Sequence, residues 1–254
     1  MTNTTFAIVA AQNAGLVIFD VTDPDNIGTP ITFLPSGCPE NGALFADDIA
    51  LAGPADEFAV IAGGSCGLVI VDVSDPTQPS LAGRVDFLSP DGTLLGWAKG
   101  LTISEDSSRA YVAGFFDGLR IVDITDAGVP SIVGSFGPAD DIDFGNAIAV
   151  SKDESVGAFN SSHVYVATTE GLRTVDVSQE SAPVAVDTSN FDTTTTDPDS
   201  IPQDILVKGT MVYLPVWLDG FRVLELNGSA PMQIQMISEE LGEPFFKLAL
   251  SGSR

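Results

Sequence analysis

Groups able to do chemistry fall at matching places, just ahead of short apolar runs. Asp47 and Asp48 precede "IALAG", Lys99 precedes "GLTIS" and Asn146 precedes "AIAVS". Gln203 and Asp204 precede "ILVKG", and Lys247 precedes "LALSG". Carboxylates set roughly 5–10 Å apart carry out glycoside hydrolysis, one as acid and the other as base or nucleophile. Asp47, Asp48 and Asp204 are therefore the candidate catalytic acids. With Lys99, Asn146, Gln203 and Lys247 they also form a mixed polar set suited to a small ligand. Trp97, Phe115, Phe116 and Trp217 lie in neighbouring stretches. Aromatic faces beside carboxylates and amides suit the stacking and hydrogen bonding of sugar rings.

"DDID" (140–143) and "DPD" (197–199) are the candidate metal stretches, with Asp140, Asp141, Asp143, Asp197 and Asp199 as ligands. Calcium takes six to eight oxygens, which loop carboxylates and carbonyls supply. Neither stretch fits the twelve-residue EF-hand loop. One His and two Cys do not suit a zinc site. Cys38 and Cys66 are expected to pair, which implies an oxidising compartment. No phosphate-binding loop, nucleophile elbow or dinucleotide fingerprint is present. The 35 acids against 10 bases give a net charge of −25. That charge repels a phosphate backbone or an anionic membrane, which argues against nucleic-acid and membrane partners. No apolar run approaches the roughly 18 residues of a membrane span.

These residues are positioned by a repeat. "GLVIFD" begins at Gly15, "GLVIVD" at Gly67, "GLRIVD" at Gly118, "GLRTVD" at Gly171 and "GFRVLE" at Gly220, spaced 52, 51, 53 and 49 residues apart. Each unit adds runs such as "RAYVAG" (109–114), "GLTISE" (100–105) and "SIVGSF" (131–136), so it reads as four short strands with no helical period. Four-stranded units at this spacing are propeller blades. The chain starts at a second strand, "TFAIVAA" (5–11), and stops after a first strand, "FFKLALSG" (245–252). The expectation is an all-β, five-bladed propeller closed by pairing of the terminal strands, which hides edges an open array would expose. Its blades are 245–254 with 5–36, then about 44–88, 97–136, 144–188 and 201–238, as one domain over 1–254. The acids that close the motif, Asp20, Asp72, Asp123, Asp176 and Glu225, sit where a strand leaves for a turn and are expected to bond turn N–H groups. His163 is expected at the surface on the opposite face.

The segments "GLVIVDVSDPTQPSLAG" (67–83), "GLRIVDITDAGVPSIVG" (118–134) and "GLVIFDVTDPDNIGTP" (15–30) resemble the LVIVD family of β-propeller repeats from bacterial and archaeal surface proteins. The fourth unit lacks the Asp-Pro, and the fifth has Glu for Asp. The resemblance implies the fold and a surface setting, and no particular activity; Asp48 and Asp204 match an acid common in the family. Residues 1–14 lack the basic start and long apolar run of a signal peptide, so either the protein is cytosolic or the sequence is a mature form or an excised domain, the last being the expectation because a strand begins almost at once. The loops entering the blades, "LPSGCPENGALFAD" (34–47), "LSPDGTLLGW" (88–97), "GPADDIDFG" (137–145) and "SNFDTTTTDPDSIPQ" (189–203), are longer than connection requires. The expectation is a non-catalytic, extracellular or cell-surface binding module, monomeric, that presents this rim to a protein or carbohydrate ligand. A glycosidase-like hydrolase is the alternative, and calcium the one cofactor considered.

Overall fold

Nineteen strands and no helix make up the described part of the computed structural model. The residues described are 4–36, 38, 44–88, 96–137, 147–152, 162–169, 171–187, 202–216, 220–227 and 230–237. The first sheet runs β1 (Phe6–Ala10), β2 (Leu16–Asp20), β3 (Ile31–Phe33). The second runs β4 (Asp48–Ala52), β5 (Phe58–Ala62), β6 (Leu68–Asp72), β7 (Ser80–Val85). The third is β8 (Ala98–Ile103), β9 (Arg109–Gly114), β10 (Gly118–Asp123), β11 (Ser131–Phe136). The fourth is β12 (Ala147–Ser151), β13 (His163–Thr168), β14 (Gly171–Asp176), β15 (Val184–Asp187). The fifth is β16 (Leu206–Lys208), β17 (Met211–Val216), β18 (Gly220–Asn227), β19 (Ala230–Ile237). Every pairing is antiparallel and every sheet follows chain order. The strand expected to complete the first sheet, 245–252, lies outside the described residues.

In the second, third and fourth sheets the apolar repeat is buried on both faces, because each of these sheets lies between two others. In β6, Leu68 and Ile70 join a core with Leu101, Val112 and Val122 of the third sheet. Val69 and Val71 point the other way, into a core with Leu16 and Ile18 of the first. The same alternation sends Leu119 and Ile121 of β10 against Val164, Val166 and Val175 of the fourth sheet. Leu172 in turn packs with Leu214 and Leu224 of the fifth. Four such cores link the five sheets in series. Burying a side chain of this size contributes about 1.5–3 kcal/mol, so the β-branched run is where the repeat's stability resides.

Two glycine positions explain the ends of the motif. The glycine that opens it has positive φ in all five units, for example +68° at Gly67 and +78° at Gly118, a conformation costly for other residues. The glycine that closes it lies under the next sheet. A Cβ on Gly83 would overlap the Ala127 carbonyl oxygen, and one on Gly134 that of Glu180. Just before each closing glycine, β7 and β11 carry an extra residue, a bulge that shifts the register against β6 and β10.

Candidate functional site

The end of the sheets where first strands begin and second strands turn into third strands is called the rim here. Between the second and third sheets the rim is built most fully. The turn at residues 63–67 pairs with the start of β8: Gly64 N–H reaches the Ala98 carbonyl at 3.1 Å, and Ala98 N–H returns to Gly64 at 3.0 Å. The Cys38–Cys66 disulfide holds that turn to the segment entering β4, and both sulfurs are buried beside Leu44. The expected pairing is thus present. From the third sheet, Phe115 N–H bonds the Trp97 carbonyl at 2.8 Å. Gly64 sits under the Trp97 ring so closely that a Cβ there would lie 2.9 Å from it. Phe45 meets the same ring edge-on, with centroids 5.4 Å apart.

This frame brings three of the sequence-derived residues together. Asp47 Oδ2 accepts a bond from Trp97 Nε1 at 2.6 Å, and Oδ1 accepts one from Lys99 Nζ at 2.9 Å. The Asp47 side chain is 4% exposed and that of Lys99 40%. A buried carboxylate is tolerated only when paired and hydrogen-bonded, and here both oxygens are engaged. Lys99 is the extra residue of a bulge: Ala98 faces Gly114 while Gly100 faces Ala113. Such bulges re-aim a side chain.

The other polar candidates are disposed differently. Asp48 Oδ2 accepts the Leu101 N–H at 3.0 Å, tying β4 to the neighbouring inner strand. Asp204 Oδ1 accepts the Ile205 N–H at 2.9 Å. Gln203 N–H bonds the Pro215 carbonyl at 2.9 Å, so Gln203 takes the register that Asp47 has in the second sheet, where its N–H bonds the Ala62 carbonyl. In the fourth sheet the register departs from the sequence alignment. Ala147 pairs with Thr168 as Ala98 pairs with Gly114, which puts Ile148, and not Asn146, at the place of Lys99. Phe115 and Phe116 form an edge-on pair 4.8 Å apart, and Phe116 is 58% exposed on the rim. Asn146, Trp217, Lys247 and the calcium candidates Asp140, Asp141, Asp143, Asp197 and Asp199 lie outside the described residues.

Some rim residues were not foreseen. Asp117 is buried in the turn after β9, with Oδ2 2.9 Å from Arg120 Nη2. That contact is an ion pair rather than an aligned hydrogen bond. The i,i+3 spacing in "GFFDGLR" was its signal. Phe45 had none. Arg120, Arg173 and Arg222 occupy one repeat position, where the first two sheets have Val17 and Val69, and Arg173 and Arg222 are almost fully buried.

At the opposite end the motif acids do what their position implied. Asp20, Asp72, Asp123 and Asp176 each accept, at 2.8–2.9 Å, the N–H of Thr22, Ser74, Thr125 and Ser178 respectively. Bonds from those residues hold each carboxyl below the usual range. At the fifth sheet, where Glu225 takes the place of Asp, Leu226 N–H bonds the Thr210 carbonyl just as Val73 N–H bonds that of Glu57 in the second. His163, expected at the surface, is half-buried, and desolvation lowers its pKa despite Asp176 nearby.

The architecture is that of a β-propeller. The structure resembles the propeller domain of Cps50 (Swd1) from Myceliophteria thermophila, with TM-score 0.53, 13% identity, and 89% of this chain covering 68% of that one. It also resembles the periplasmic gluconolactonase PpgL of Pseudomonas aeruginosa: TM-score 0.64, 13% identity, and 94% of this chain covering 69% of the other. A candidate 6-phosphogluconolactonase from Bacteroides fragilis gives TM-score 0.63 at 13% identity, 91% of this chain covering 68% of that one. Identities this low show the fold alone. Residues 4–28, 45–87, 96–137 and 161–192 match the LVIVD repeat, and the chain belongs to the LVIVD repeat family. No curated protein matches the chain in sequence.

Proposed function

We propose that the protein is a binding module whose rim site, at the junction of the second and third sheets, takes a neutral ligand rich in hydroxyl and carbonyl groups, such as a sugar. The observation that supports this is the use of Asp47. Both of its oxygens are spent on Trp97 and Lys99. It therefore serves to aim them, while the partly exposed ammonium keeps donors for a ligand oxygen. The Lys99–Asp47 pair is neutral overall, so it favours neither an anion nor a metal ion. Phe115 and Phe116 extend the same rim with apolar surface. Completion of a five-bladed ring by residues 245–252 belongs to this reading, as does an extracellular or cell-surface setting, which the disulfide favours. Calcium on the acidic loops rests on sequence alone and belongs in the same ligand panel, with EDTA as its control.

The second reading is a hydrolase. Paired-carboxylate glycoside chemistry finds little support, because Asp47 is fully bonded and Asp48 holds a backbone N–H of the next strand. Lactone opening fits the site better, since an ammonium at Lys99 can polarise a carbonyl oxygen, and one structural neighbour is a gluconolactonase. The test measures melting temperature and gluconolactone hydrolysis side by side on a panel of sugars and sugar lactones. A ligand at 100 times its Kd adds about 2.7 kcal/mol of stability. A melting shift without turnover above the spontaneous rate supports binding. Turnover lost in Lys99→Ala supports the hydrolase. Neither effect with any compound removes the sugar-type ligand from the proposal.

A further inference from the structure

A cavity lies between the same two sheets at the end opposite the rim, and it is independent of the site above. It encloses about 270 Å³ between the β4–β5 turn of the second sheet and the β8–β9 and β10–β11 turns of the third. That is slightly below the roughly 300–1,000 Å³ of drug-sized pockets. Its floor is apolar: Val60 and Ile70 are fully buried, and Ala52 and Ile124 nearly so. Its lip carries one carboxylate from each sheet, Glu57 and Asp106.

Those carboxylates are fixed on one side only. Glu57 Oε2 accepts the Ala55 N–H at 2.8 Å, and Asp106 Oδ1 takes three bonds, from Ser104 Oγ, Ser108 N–H and Ser108 Oγ, at 2.7–3.0 Å. Among the described residues no bond reaches Glu57 Oε1 or Asp106 Oδ2. The serine bonds hold the Asp106 pKa down at about 2, so it is an anion at any physiological pH. Arg109, whose charge acts on Asp106, is occupied by Glu180, with both contacts at 2.9 Å, and by Asp123 at 3.2 Å. Apolar walls below two fixed anions complement a short alkyl chain ending in a cation with several N–H donors.

We propose that this cavity binds a primary alkylammonium ion, its chain against Val60, Ile70 and Ile124 and its ammonium bridging Glu57 and Asp106. A primary ammonium has three donors and can serve both carboxylates at once. An alcohol of the same length fills the floor without the charge, and tetramethylammonium brings the charge without the donors.

The test is calorimetric titration of the intact protein with butylammonium chloride, with butanol, tetramethylammonium chloride and NaCl as comparisons at equal ionic strength. Butylammonium is expected to bind at least tenfold more tightly than either organic comparison. Glu57→Gln and Asp106→Asn are each expected to weaken it several-fold, and Thr125→Trp, at the lip, to block it. Each variant is first checked for an unchanged fold by circular dichroism. Absence of butylammonium binding by the unmodified protein overturns the proposal, with no variant needed. So does binding that butanol or NaCl matches, or that survives both carboxylate substitutions together.

Discussion

The two ends of the sheets use the same scaffold in opposite ways. At the turns after β2, β6, β10 and β14, four sheets repeat one device: an Asp at the strand end takes the N–H two residues on. At the rim, the junction of the second and third sheets has a buried Asp47 shared between an indole and an ammonium. The fifth-sheet counterpart of Lys99 is Gln203, and the fourth-sheet counterpart Ile148. Repetition marks what every sheet needs in order to pack. Departure from the repeat marks the junction we propose as a single site.

That contrast can be broken in several places. The largest effect is expected from opening the disulfide. A cross-link between residues 28 apart constrains the unfolded chain by about 3–4 kcal/mol. Cys38→Ser with Cys66→Ser is expected to lose most of that in denaturant unfolding, and also to loosen Trp97, which the 63–67 turn supports. Gly134→Ala comes next, at about 1–3 kcal/mol, because its Cβ overlaps the Glu180 backbone. Thermal unfolding of this variant with its ligand response intact would show that the closing glycine serves packing alone. Asp47→Ala leaves Trp97 Nε1 and Lys99 without their shared acceptor. It is expected to cost about 2 kcal/mol and to abolish any ligand-induced melting shift. Asp72→Ala is expected to cost about 1 kcal/mol or less, since its bonds are solvent-exposed, and to leave ligand binding untouched. If Asp72→Ala removed the ligand response and Asp47→Ala spared it, the division between the two ends would be wrong.

The smallest effect concerns acid. Asp106 has its pKa lowered to about 2 by serine bonds. A carboxyl whose folded pKa is depressed adds stability above its ordinary value near 4, and that stability is lost as pH falls through the depressed one. The stability difference between the unmodified protein and Asp106→Asn is therefore expected to be constant from pH 7 to about 5 and to shrink below about pH 4, the contribution of the charge being lost as pH falls through about 2. Unfolding at each pH measures it. A difference already closing at pH 6 would contradict the assignment.

Much of the scaffold could be read directly from the chain. A motif recurring at about 50 residues, with β-branched runs and a turn acid, leaves little choice but small sheets stacked face to face. Leu68, Val69, Ile70 and Val71 are all buried because neighbours lie on both sides. The cysteine pairing followed from two loops of one repeat meeting at one end. The site was legible only in its membership. Asp47, Trp97 and Lys99 could be named as rim residues. That one carboxylate would serve the other two depended on a bulge at Lys99, which no residue pattern announces. In the fourth sheet β12 pairs with β13 two residues on from the sequence alignment, and no residue pattern marks that offset. Phe45 against Trp97 is a contact between distant segments, invisible until the chain is folded, whereas the Asp117–Arg120 pair had a local signal in its i,i+3 spacing.

The central claim is that Asp47 aims Trp97 and Lys99 at a ligand. The chain has two tryptophans, so two indole N–H signals are expected in a nitrogen–proton correlation spectrum, and Trp97→Phe identifies the one bonded to Asp47. Titration with the sugar or lactone that gives the largest melting shift is the most direct measurement. The account predicts that the Trp97 indole signal moves in a saturable way, and that the response is lost in Lys99→Met. A ligand that binds the protein while this signal stays still would contradict it.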